Sequence, residues 1–173
     1  TSGLPVPTLD EFFTQFKGQP ITHFVEIKSA TPEVVDLLKV AVDRHGVADQ
    51  VIAISFHAAQ LKRLAELMPG VSGGYLTGLS TGADVKKGMR AILGATQPLS
   101  STFNPSYAGV PEAVLEAAKH RGTTFWPWTF RDEAIFERYY MAGTHGLTTD
   151  MSQWASAYPV RLSAAAAETV AAN

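Results

Sequence analysis

The sequence predicts an α/β chain wound as a TIM-like (β/α) barrel, incomplete at about six of the usual eight strands. Three observations predict it. Short β-rich apolar runs recur about 20 to 28 residues apart, each followed by a loop and a segment of helical period. That spacing suits a helix crossing back over a parallel sheet. Polar residues fall at the carboxyl ends of these runs, where such a barrel builds its site. No Gly-rich phosphate loop follows the first run, as an open nucleotide-binding sheet would require.

The strands are expected at residues 23–28, 51–56, 71–76, 99–104, 124–129 and 146–150. Thr31-Pro32-Glu33 opens the first helix with an N-cap, a first-turn proline and an acid for the dipole. Val34, Leu37, Leu38 and Ala41 give it an apolar stripe, and Gly46 follows its end. Leu61, Leu64, Ala65 and Met68 keep helical spacing until Pro69 stops the run. Residues 83–93 are a weaker helix because Gly88 sits inside. Val110-Pro111-Glu112 opens another, with Val114, Leu115 and Ala118 inward and Gly122 closing. Residues 131–142 form the next, closed by Gly143, and a short helix is expected near residues 152–157.

The chain of 173 residues is read as one domain over residues 1–173. With 46% hydrophobic and 17% charged residues it can bury a core and does not read as disordered. A net charge of -2 gives no electrostatic case for nucleic acid, and no apolar run is long enough for a transmembrane helix. The absence of Cys excludes disulfides, Cys-ligated metals and a thiol nucleophile. It says little about compartment, where an exported (secreted or periplasmic) location is the slightly favoured expectation. The chain opens at Thr1 without Met, as a processed or excised piece does.

Phe24-Val25-Glu26-Ile27-Lys28 is the most informative segment. Strand alternation puts Val25 and Ile27 on the helix-facing side, and Glu26 and Lys28 inward near the barrel mouth. Inward charges are costly unless paired or bound. The pair is therefore either a Glu–Lys ion pair closing the barrel top or a carboxylate metal ligand beside a lysine aimed at an anion. Ser55 and His57 end the second strand, where His57 reads as an imperfect helix cap or a catalyst. Asn104 reads as a turn residue before Pro105 or as a polar group at the mouth. Trp128 is either a core residue or a flat wall for a ligand. Asp150 is either a helix cap or a strand-end site residue.

In chain order these segments resemble the glycerophosphodiester phosphodiesterase family. The matching pieces are Val6-Pro7-Thr8-Leu9-Asp10-Glu11, Val25-Glu26-Ile27-Lys28, Ile54-Ser55-Phe56 with Leu61 and Pro69, Trp128-Thr129, and Gly146-Leu147-Thr148-Thr149-Asp150. They span residues 6–150. The resemblance implies a TIM-like barrel that hydrolyses glycerophosphodiesters to glycerol phosphate and an alcohol, using a divalent cation (Mg or Ca). It implies that Glu26 is a metal ligand, that Lys28 acts catalytically beside the phosphate, and that Trp128 walls the glycerol. Ser55 and Asn104 join Lys28 and Trp128 as expected substrate-binding residues. The family's opening His-Arg-Gly strand, its Glu-Asn-Thr strand and its second His have no counterpart here. His57, Arg131 and His145 replace an Asp or Asn, an Asn and an Asp, respectively. The chain alone is accordingly expected to be inactive, and to be completed by an amino-terminal fragment or an oligomeric partner. The alternative is a non-catalytic barrel remnant serving as a binding or assembly module.

Overall fold

The computed structural model describes residues 3–78, 85–96, 100–107, 110 and 112–159. Helices and strands alternate: α1 (Leu9–Phe16), β1 (His23–Glu26), α2 (Glu33–His45), β2 (Val51–Ser55), α3 (Ala58–Leu67), β3 (Ser72–Thr77), α4 (Val85–Thr96), β4 (Thr102–Pro105), α5 (Glu112–His120), β5 (Thr124–Phe125) and α6 (Glu133–Met141). Residues 152–159 are also helical. The five strands form one parallel sheet in sequence order, β1-β2-β3-β4-β5. Each strand is thus hydrogen-bonded to its sequence neighbour, as repeated βα units require. Among the described residues the barrel is not closed: β1 pairs with β2 alone.

Alternation along the strands separates two faces. Val51 and Ala53 of β2 pack into a buried cluster with Val35 and Leu38 of α2 and Leu61 and Leu64 of α3. Phe103 and Phe125 pack into a second cluster with Val114, Ala118, Phe136 and Tyr139. The opposite face points into the barrel interior. There Phe24 of β1 meets Trp126, just past β5, with ring centroids 4.7 Å apart. The sheet curls enough for its first and last strands to touch through side chains without pairing.

Glycines mark the closest approaches. A Cβ on Gly73 would lie 3.4 Å from Leu64, so this position lets α3 settle on the sheet. A Cβ on Gly74 would instead collide with Thr102, Ile54 and Asn104 inside the barrel. Gly88 lowers the intrinsic helicity of α4, but its flat surface receives Val114 of α5. Gly88→Ala is therefore expected to destabilise by about 1–3 kcal/mol despite its better helix propensity, because overpacking outweighs the propensity gain. Urea unfolding measures the sign.

Several expected boundaries move. Thr31 does not cap α2; the cap position is Pro32, without a side-chain bond, and the Thr31 carbonyl accepts from Val34. The chain reverses after α2 at Gly46, with φ 63°. The expected strand 99–104 starts at Thr102, Leu99 lying outside the described residues. Ala83 and Pro111, placed at two helix starts, also lie outside them.

The expected sixth strand at 146–150 is reduced to a single parallel bridge, Phe130↔Thr149. Pro127 supplies the reason. Trp126 and Trp128 donate to Phe103 and Pro105 on the β4 side, so residue 127 faces the next segment. Its carbonyl accepts from Thr148, but proline has no N–H to return a ladder bond. Asp150 does not cap the helix that follows. Its Oδ2 accepts from Arg131 Nε at 2.6 Å, and Thr149 Oγ1 accepts from the Met151 N–H.

Helix α1 was not legible from apolar periodicity, yet Thr8 and Glu11 form a complete capping box. Phe13 is its fully buried anchor, against the rings of His23 and His45. Asp10 ties α1 to the end of α2, accepting from Arg44 at 2.7 Å and meeting His45 Nε2 at 2.8 Å. The hydrogen bond with His45 holds the Asp10 carboxyl below its ordinary 3.8, with the charge of Arg44 adding to the lowering and burial opposing it. A depressed carboxylate stabilises the fold above its unfolded value and loses that contribution as pH falls through the folded one. Asp10→Ala is expected to melt below wild type at pH 7, with the gap closing once pH drops below 3.8. Melting curves from pH 7 downward check this.

Candidate active site at the carboxyl ends of the strands

All five strands run the same way, so their carboxyl ends share one rim. Glu26 ends β1 and Ser55 ends β2, with Lys28 and His57 two residues beyond each; Asn104 lies in β4, and Trp128 follows β5. The two-residue period places Glu26 on the same side of β1 as Phe24, whose ring meets Trp126 in the interior.

Lys28 Nζ lies 3.8 Å from Glu26 Oε2, too far for a hydrogen bond, with side-chain exposures of 80% and 33%. A pair this open contributes little to stability. It is not a buried clasp on the barrel top, and both charges remain available to a ligand. The backbone beneath it is fixed by β2. Ser55 is fully buried; its Oγ donates to the Ile27 carbonyl at 2.7 Å and accepts from the His57 N–H at 3.0 Å. His57 Nε2 reaches the Lys28 carbonyl at 3.2 Å. His57 also occupies the cap position of α3 without a capping bond from its side chain.

Trp128 sits at the far side of the rim. Its indole Nε1 donates to the Asn104 carbonyl at 2.7 Å, and its ring meets Phe56 edge-on at 5.8 Å. The backbone locks it further: its N–H donates to Pro105 and its carbonyl accepts from Tyr107. The indole is therefore pre-oriented and half-buried, with an apolar partner alongside. Asn104 is a strand residue rather than a turn residue. It is buried below the rim, and its Oδ1 accepts from Thr102 at 2.7 Å.

The structure thus brings Glu26, Lys28 and Trp128 to one rim with ligand-accessible groups. It places Ser55 and Asn104 underneath, their oxygens engaged in holding β1 and the indole. Glu26 offers a single carboxylate to a cation. Among the described residues no group of three or more His, Cys, Asp or Glu gathers to hold a metal ion. A hard divalent cation takes six or more oxygens, so these residues do not make a metal site by themselves. His23, His45 and His145 lie away from the rim. His23 is buried at the start of β1, His45 meets Asp10, and His145 Nδ1 accepts from the Phe125 N–H.

A parallel βα sheet paired in sequence order, with polar groups at its carboxyl rim, is the arrangement of a (β/α) barrel chain. The sequence profile of the glycerophosphoryl diester phosphodiesterase family matches residues 1–153, and the chain belongs to that family. A curated glycerophosphodiester phosphodiesterase from Caldanaerobacter subterraneus subsp. tengcongensis is 26% identical over 154 residues. That match takes in 86% of this chain and 60% of the relative, so the chain spans about three-fifths of that relative's length. The crystal structure of a glycerophosphodiester phosphodiesterase from Parabacteroides distasonis superposes with a TM-score of 0.70 at 23% identity, over 92% of this chain and 65% of the other. An Oleispira antarctica phosphodiesterase, solved in complex with the product sn-glycerol-3-phosphate, gives a TM-score of 0.70 at 18% identity, over 83% and 57% of the two chains. These likenesses show the fold: the chain has the architecture of part of a TIM barrel.

Proposed function

We propose that this chain supplies the Glu26–Lys28–Trp128 portion of an active site that hydrolyses glycerophosphodiesters to glycerol phosphate and an alcohol. Membership of the family supports the reaction class. The observation that carries the reading for this chain is the open Glu26–Lys28 pair at the carboxyl end of β1, the end of the sheet at which Trp128 also follows β5. Net reaction adds water across one P–O ester bond. The transition state gathers negative charge on the phosphoryl oxygens, and the Lys28 ammonium is placed to offset it. The fixed indole of Trp128 presents a flat apolar surface to the carbon side of a glycerol. The Oleispira protein's bound product is consistent with that substrate class. Glu26 would supply a carboxylate to a divalent cation, whose other ligands would come from outside the described residues; magnesium and calcium both accept such donors.

The site is to be completed across the free edge of β1. Beside that strand lies a groove of about 380 Å³ lined by apolar Leu9, Val25, Leu37 and Leu38 and by the charged Asp10, Glu26, Lys28 and Arg44, with Leu37 69% exposed. Among the described residues the outer edge of β1 is unpaired, and an unpaired edge strand beside exposed apolar side chains is a liability that native proteins cover. We assign it to a further βα segment from the two-fifths of the relatives' length that this chain does not match. A second copy of the chain on the same edge is the competing occupant, and it would favour the binding-module reading.

The test is hydrolysis of glycerophosphocholine by the full-length gene product with magnesium or calcium, followed by detection of glycerol phosphate. Release of glycerol phosphate above a chelated control supports the proposal. No release under either cation would leave the binding or assembly module as the better reading.

A further inference from the structure

Gln60 is a long polar side chain of α3 that is fully buried in a helix face otherwise anchored by Leu61 and Leu64. Its Nε2 donates to the Ser29 carbonyl at 2.7 Å and to the Thr31 carbonyl at 2.9 Å, about thirty residues earlier in the chain. Both partners are acceptors, so the amide nitrogen must face them. Its Oε1 is then left buried without a partner among the described residues. A leucine or methionine would fill a similar space without burying an unpartnered amide oxygen, but it would leave the Ser29 carbonyl without this donor. The feature that only the amide provides is the pair of bonds to residues 29 and 31, directly after Lys28.

Those bonds complete a series. Ser55 holds the Ile27 carbonyl, His57 reaches that of Lys28, and Gln60 holds those of Ser29 and Thr31. Within the loop, Ser29 Oγ accepts from the Thr31 N–H at 3.0 Å, which shapes the turn but does not attach it to the barrel. The loop therefore depends on β2 and α3 for its attachment. Lys28 carries a long, exposed side chain. A small swing of its backbone moves the ammonium by more than the tolerance of a preorganised site.

We propose that Gln60 is a positioning residue for Lys28, fixing from α3 the loop that sets where the ammonium stands at the rim. This rests on the proposed phosphodiesterase reading, and the experiment separates the two. In the full-length gene product, Gln60→Met is expected to lower kcat/KM for glycerophosphocholine by about 10- to 100-fold, with most of the fall in kcat. The double variant Gln60→Met with Lys28→Met is expected to be no slower than Lys28→Met alone, since Gln60 acts through that lysine. Amide hydrogen exchange is expected to rise within residues 28–31 at Thr31, whose N–H is held by Ser29 Oγ, and to stay unchanged in β2 and β3. Gln60→Leu, read in the same way, is the second variant.

Multiplying rather than saturating effects in the double variant would overturn the proposal. Unchanged exchange at Thr31, or loss of the fold in both Gln60 variants, would overturn it as well. If the wild type releases no glycerol phosphate, the proposed function fails and the clamp is judged on exchange alone. Local loosening at Thr31 then supports it, and native-like protection there refutes it.

Discussion

Lys28→Met in the full-length gene product is expected to lower kcat/KM for a glycerophosphodiester by about 30- to 1,000-fold, equivalent to about 2–4 kcal/mol of transition-state stabilisation. Methionine keeps the length and loses the charge. The side chain is 80% exposed and its nearest carboxylate stands 3.8 Å away, so the fold loses little with it. Melting temperature should be nearly unchanged, which separates a catalytic loss from an unfolding one. Glu26→Gln removes an oxygen donor of full charge and should weaken cation affinity, seen as a rightward shift of the metal titration. Equal turnover of wild type and both variants would return the pair to a surface ion pair.

Residues 1–173 produced alone are expected to hydrolyse glycerophosphodiesters at background rate. General acid–base help and a metal each need several groups held in one place. Among the described residues no such cluster forms, and the His57 ring at the rim is turned to the Lys28 carbonyl. Supplying the βα segment proposed to complete the site should raise turnover by at least the 100- to 10,000-fold typical of a positioned acid–base pair, an order of magnitude of about two to four decades. Turnover by the mass-verified chain at rates near those of the full-length protein would contradict this. It would mean that the five-stranded sheet holds a working site.

The parallel architecture was legible because βα spacing and apolar stripes are local properties. The face assignment of Glu26 followed from alternation over five residues, since a slip of one would have turned Val25 and Ile27 away from the helices. What was not legible depended on partners far along the chain. The sixth strand failed through Pro127, whose missing N–H matters only because residue 127 faces the last segment rather than β4. Asn104 looked like a turn residue before Pro105, but its neighbour Thr102 draws it into the interior. Ser55 carried the polarity of a site residue, while its hydroxyl serves the Ile27 carbonyl. Gln60 gave no signal beyond one polar residue beside Leu61 on an amphipathic helix. Its role appears only when residues 29 and 31 come within reach. Helix α1 did carry a readable mark, the Thr8-x-x-Glu11 box ahead of Phe12 and Phe13.

The central claim is that Lys28 and Trp128 border one phosphodiester site, and a complex of the full-length protein with sn-glycerol-3-phosphate tests it most directly. The expected crystal structure places the phosphate within hydrogen-bonding distance of Lys28 Nζ, about 2.7–3.2 Å, with the glycerol carbons against the Trp128 indole. The same ligand should bind markedly more weakly to Lys28→Met in calorimetry. Phosphate bound away from the β1 rim, with Lys28 still exposed to solvent, would contradict the account.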